Sequence, residues 1–182
     1  MRQVLLPAAI LALSVACGAS KLTQKEASKD LAVDYPVVVT TDFPQRASAV
    51  KGSPEHAKLL ALEAALKPLP FRVTRKVEGD RELFLIETAP GAPATVQTGA
   101  KGFEVPVAKA EFVKATKLET LGTRARVTYQ IRLAQPTEFF PIFQITHPKA
   151  QVGATQDRQA EYVKEGSKWI LDRTNERYKK AR

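Results

Sequence analysis

The chain contains a single cysteine, Cys17. With no second thiol there can be no internal disulfide, and no cysteine cluster can hold zinc or an iron–sulfur centre. Histidine is almost as scarce, with only His56 and His147 present. Neither has a second histidine or a carboxylate at metal-ligand spacing, so both are expected to be surface residues, and no metal site is expected. The nucleophile-elbow pattern Gly-x-Ser-x-Gly is absent, as is a glycine-rich phosphate loop. Glu111, Glu119 and Glu138 lie near apolar stretches, but no carboxylate pair is set by local spacing for acid–base work. No catalytic residue is assigned and no cofactor is expected. After the first twenty residues there is also no apolar run long enough to span a bilayer, which takes about 20 residues.

What the chain does have begins at its N-terminus. Arg2 is the only charge before Cys17, and Val4 to Ala16 is apolar except for Pro7 and Ser14. A basic start, a short apolar core and small residues at its end describe a secretory signal over residues 1–16, with cleavage between Ala16 and Cys17. Ser14-Val15-Ala16-Cys17 resembles the lipobox of bacterial lipoproteins, although Leu is usual where Ser14 stands. That resemblance implies lipidation of Cys17. It also implies attachment to a membrane through two or three acyl chains, and a place in the cell envelope facing the periplasm. Gly18 and Ala19 lack the aspartate associated with inner-membrane retention in enterobacteria, which leans the expectation toward the outer membrane. The alternative is an ordinary secretory signal with a chance cysteine.

The excess of 28 Lys and Arg over 19 Asp and Glu gives a formal charge of +9 and a pI near 9.7. Such a chain can meet nucleic acid, anionic lipid or acidic glycan. A secretory signal sets nucleic acid aside. An anionic envelope component or another envelope protein remains as partner, against the plainer reading of a solvated basic surface.

After the tether at residues 17–20, Thr23 and Glu26 form a capping box that starts a helix running to about Leu31. The β-branched stretch 34–41 reads as an edge strand because of Pro36. Residues 42–52 read as a loop. Ser53-Pro54-Glu55 opens a second helix, with Leu59, Leu62 and Leu66 along one side and Pro68 and Pro70 at its end. Residues 71–77 and 81–88 flank Glu78-Gly79-Asp80 as a hairpin. Helices followed by a basic hairpin are loosely winged-helix-like, a topological likeness only. These pieces make a first subdomain, residues 21–89, and the Pro- and Gly-bearing stretch 90–102 reads as a linker.

The second subdomain, residues 103–174, reads as an antiparallel β-meander. Phe103, Val105 and Val107 alternate around Pro106. Ala125, Val127, Tyr129, Ile131 and Leu133 give five successive matches to a period of two. Three phenylalanines at 139, 140 and 143 are expected to plug the open side of the sheet, against a reading as an exposed protein contact. Residues 146–157 read as loop, followed by a hairpin with its turn at Glu165-Gly166-Ser167. The basic tail 175–182 is expected to fray. Val113-Lys114-Ala115-Thr116, Ala125 to Tyr129 and Tyr162 to Leu171 resemble the sheets of uncharacterised bacterial envelope lipoproteins. Such sheets also occur in folds resembling nuclear transport factor 2, but the long helices of that fold are missing from this half, so its pocket is not carried over. With helices in the first half and an antiparallel sheet in the second, the expected class is α+β.

One row of charges suggests a site. Arg124, Arg126 and Arg132 share one face of an alternating strand, and Lys114 and Lys168 could join them as an anion-binding surface. The contrary reading is a solvated face balanced by Glu161 and other acids. Taken together, the expected function is a lipid-anchored, non-catalytic binding or structural module of the envelope. A periplasmic ligand-binding protein for an anionic or glycan ligand is the first alternative. Its site would be the arginine face or a pocket under the phenylalanines. A hydrolase is the second, and would need His56 or His147 beside a carboxylate in a cleft.

Overall fold

The computed structural model describes residues 21–178. The signal segment, the Ala16–Cys17 cleavage point and the lipidation of Cys17 lie outside the described residues. In chain order the elements are α1 (Gln24–Ala32), β1 (Val37–Phe43), β2 (Arg46–Val50), α2 (Pro54–Leu66), β3 (Phe71–Glu78) and β4 (Arg81–Thr88). They continue with β5 (Gln97–Gly99), β6 (Gly102–Leu121), β7 (Arg124–Ala134), α3 (Phe140–Thr146), β8 (Thr155–Glu165) and β9 (Lys168–Thr174). The class is α+β, with strands predominating and the main sheet antiparallel and curled.

The larger sheet runs β1-β6-β7-β8-β9, with β5 also paired to β6, and the smaller runs β2-β4-β3. From β6 to β9 each strand lies beside the next in sequence, so the expected meander is present. β6 is the spine. Its first half pairs with β1 and its second half with β7, and the register slips opposite Val39/Thr40 and after Phe112 and Ala115. Each slip is a bulge that bends and twists the strand, which curls the sheet. Pro106 sits opposite Thr40 at the first slip, the sort of irregularity where a strand tolerates proline. The Thr137 hydroxyl donates to the Pro106 carbonyl at 2.6 Å and fastens the approach to α3 there.

α1 begins as the sequence predicts. The Glu26 amide donates to the Thr23 hydroxyl at 3.2 Å, and the Thr23 amide donates to the Glu26 carboxylate at 2.9 Å. Ala27 and Leu31 bury against β6 and β7, and Leu22 packs with them. β1, which also precedes the expected linker, lies along β6, which follows it.

Several expectations are corrected. Residues 42–52 are not a loop, because β2 lies there and pairs with β4 from Arg46↔Leu85 to Val50↔Arg81. Its Ala and Ser residues carry no apolar alternation, and its hydrogen bonds to a distant strand are what make it extended. The two helices do not form one unit with the hairpin. α1 packs on the larger sheet, whereas α2 packs on β2, β3 and α3, so the winged-helix likeness does not extend to the packing. The stretch 90–102 contains β5. The loop before β8 is shorter than expected, since β8 begins at Thr155.

The two sheets meet at an aromatic junction. The Phe43 ring lies 5.4 Å from Phe71 and 5.4 Å from Phe103, and Phe71 lies 6.4 Å from Phe139. Phe139, Phe140, Ile142 and Phe143 are buried, so the phenylalanine-rich segment is a core plug formed by a short helix. One cluster of buried side chains runs from Leu62, Leu66 and Ile86 to Val127, Ile131 and Tyr162.

Candidate functional site

The arginine row lies on the outer face of the larger sheet, where burial alternates along β7 as the sequence pattern predicts. Cross-strand neighbours supply opposite charge. Arg132 meets Glu111 with Nε–Oε2 at 3.1 Å and Nη2–Oε2 at 3.0 Å. Arg126 lies between Glu119 on β6 and Glu161 on β8, 3.5 Å from the latter. Glu161 also accepts Arg173 Nη2 at 2.7 Å. The Arg173 hydrogen bond holds the Glu161 carboxyl below its usual range, and Lys117 does the same for Glu119. Arg124 stands beside Leu121 and Val163. Lys114 faces Gln130, and Lys168 is at the far hairpin. Two of the three arginines are thus matched by acids across neighbouring strands.

A different set of residues makes a cleft of about 630 Å³ beside the phenylalanine plug. α3 and its end supply Phe143 and His147, the following loop supplies Lys149, and β1 supplies Thr40. β8 supplies Thr155, Gln156 and Arg158. The tail supplies Arg177 and Tyr178. The loop wall is pinned by a bridge between Val152 and Leu133 and by the Gly153 amide donating to the Leu133 carbonyl at 2.8 Å. Among the described residues lining the cleft there are three permanent cations and no carboxylate.

Arg158 is the central group. It continues the inward alternation of Tyr162 and Ala160 along β8, and its side chain is buried together with that of Glu176. A guanidinium there needs partners, because an unpaired buried charge is costly. Its Nε reaches Glu176 at 3.4 Å, Nη1 donates to the Asp157 carbonyl at 3.0 Å, and Nη2 donates to Gln156 Oε1 at 2.8 Å. Its guanidinium carbon stands 5.3 Å from the centre of the Tyr178 ring.

Behind the cleft the polar network continues inward. Glu176 accepts hydrogen bonds from the Tyr35 hydroxyl and, at 3.0 Å, from the Tyr178 amide. The Tyr35 and Tyr129 hydroxyls share a hydrogen bond at 3.3 Å. Burial, joined by the Glu176 hydrogen bond, pushes the Tyr35 phenol well above its usual range, and burial raises Tyr129 as well. Glu176 is thus a buried anchor that draws the tail against the sheet. The expectation that the tail frays is corrected for residues 175–178, while residues 179–182 lie outside the described residues.

The histidines divide the features an acid–base site would combine. His56 Nε2 lies 2.8 Å from Glu82 Oε2, whose other oxygen is 3.6 Å from Arg75, and its ring stands against Phe84, but it does not line the cleft. His147 lines the cleft and stacks on Phe143 at 4.2 Å, with Nδ1 2.9 Å from the Thr146 hydroxyl. The spacing Ser-x-x-Lys, which a serine nucleophile with a lysine base would use, is found at Ser48–Lys51, but Ser48 is on β2, where its hydroxyl accepts from Arg81 at 3.2 Å. Among the described residues no group of three His, Cys, Asp or Glu side chains could hold a metal ion. No helix of the described residues is long and apolar enough to cross a membrane.

Sequence reasoning missed Arg158, Glu176 and Tyr178. The available signal was the β8 alternation, which places Arg158 on the face of Ala160 and Tyr162. Compared with known protein families, curated proteins and solved structures, the chain has no significant match.

Proposed function

We propose that this is a lipid-anchored protein of the bacterial cell envelope whose folded body is a non-catalytic binding module. The anchor rests on the apolar run Val4–Ala16 followed by the lone Cys17. The binding role rests on one observation, the cleft beside Phe143 and Arg158. Its volume of about 630 Å³ falls within the range of small-molecule sites, and convergent polar groups stand against aromatic walls. The matched charges of the β7 face favour the cleft over the arginine row as the site. The lipid holds the body at the membrane surface, with the outer membrane as the favoured location.

The test begins with intact mass and detergent partitioning of the native protein beside a Cys17→Ala variant. Acyl mass on a chain beginning at Cys17, with loss of the anchor in the variant, supports the reading. A soluble wild-type chain that keeps Met1 to Ala16 sinks the anchor, and the basic surface is then tested against nucleic acid.

A further inference from the structure

We infer that the cleft recognises a small molecule joining an acid group, carboxylate or phosphate, to a flat ring. The inference rests on the cleft being the binding site proposed above. The acid group is placed by charge. A guanidinium carries five N–H donors, and the three contacts of Arg158 leave one on each terminal nitrogen. Glu176 balances Arg158 from behind, while Lys149 and Arg177 add positive charge at the rim. With no carboxylate among the described lining residues, the cavity favours an anion, and its partly desolvated walls screen that attraction less than open water does.

The ring is placed by the walls. Phe143 and His147 form a stacked pair with only 15° between planes, and Tyr178 stands edge-on to Phe143 at 6.2 Å. Phe143 is itself buried beneath this stack, so the ring left for a flat partner to cover is that of His147, which is exposed. Arg158 is already held rigidly by its neighbours, so little rotamer freedom remains to be lost on binding. A bare anion would leave the exposed His147 ring uncovered, and a neutral ring would leave the spare donors unused.

The experiment titrates the full chain with phenyl phosphate, inorganic phosphate and phenol, reading backbone amide shifts by NMR. Phenyl phosphate is expected to move amides near Phe143, Gln156 and Arg158, and to bind at least tenfold more tightly than either fragment. Added salt should weaken it. Lys149→Ala with Arg177→Ala, both at exposed positions, should weaken it roughly three- to tenfold. Arg158→Lys keeps the charge but loses the fork, and should weaken it further while the dispersed spectrum of a folded chain persists. Arg124→Ala with Arg126→Ala should change nothing. Loss of binding in that last pair instead would place the anion site on the outer sheet face and overturn the inference. Phenol binding as tightly as phenyl phosphate, unaffected by the rim variants, would also overturn it, yet leave the cleft a binding site. If none of the three probes moves cleft amides at millimolar concentration, the binding-module reading falls with it.

Discussion

At the scale of single residues, the structure turns on where charge and volume are confined. Glu161 is held ionised by Arg173 and Arg126 across neighbouring strands, and its pKa is lowered, with the Arg173 hydrogen bond the main cause. A carboxyl depressed in the folded state contributes stability above its unfolded pKa, and that contribution is lost as pH falls through the folded value. Urea midpoints of wild type and Glu161→Gln should therefore differ at pH 7, and the gap should close toward pH 3. A gap unchanged by acid would mean the pair contributes nothing through charge. Gly102 is a second confined position. Its φ is 126°, and a Cβ there would lie 2.2 Å from the Phe43 carbonyl oxygen. Gly102→Ala must move the β1–β6 pairing, with roughly 1–3 kcal/mol lost to backbone strain alone. A thermal melt indistinguishable from wild type would show that the strands yield more easily than this contact implies.

At the scale of elements, the helices owe their positions to different terms. α1 is nine residues long, too short to persist alone in water, and it rests on its cap and its seat across β6 and β7. Tyr162 reaches across to Asp30 at 3.0 Å and fixes the helix from below. Thr23→Ala removes the cap and should cost about 1 kcal/mol, read as a lowered urea midpoint. α3 lacks a side-chain cap and is held by what it buries. Phe143→Ala should cost roughly 3–5 kcal/mol, since the ring is buried against Phe140, His147 and Tyr178. A much smaller loss would mean the plug collapses onto the space. The sequence showed α1 and α2 clearly because caps and apolar spacing are local signals. β2 was invisible because Arg46-Ala47-Ser48-Ala49-Val50 has nothing strand-like beyond its partner, β4, which lies more than thirty residues on.

At the scale of the whole molecule, the buried phenols set a limit on stability. Tyr35, Tyr129 and Tyr162 all have raised pKa values, chiefly through burial, and the carboxylates of Glu176 and Asp30 reinforce the shift at Tyr35 and Tyr162 respectively. A group raised in the folded state contributes stability fully below its unfolded value, near 10 for tyrosine, and loses it as pH rises beyond. The protein should hold its melting temperature up to about pH 9 and then lose it steeply. Tyrosinate absorbance should emerge together with unfolding, and phenolate signal from a still-folded chain would contradict the buried network. Phe43, Phe71, Phe103 and Phe139 join the two sheets in one core, so amides of β4 and β7 should exchange with similar free energies. Much faster exchange in β4 would mean the small sheet opens on its own.

The sequence by itself determined the α+β class, the meander from β6 to β9, the starts of α1 and α2, and the burial of the phenylalanines at 139, 140 and 143. Each depends on neighbours a few residues apart, where period, caps and turn residues act. The tertiary structure alone decided that β1 lies along β6, that α1 and α2 serve different sheets, and that Arg158 and Tyr178 gather near Phe143 with Glu176 behind them. Those pairings join residues far apart in the chain. What selects them is the need to pair every buried strand edge and every buried charge, which no local spacing records.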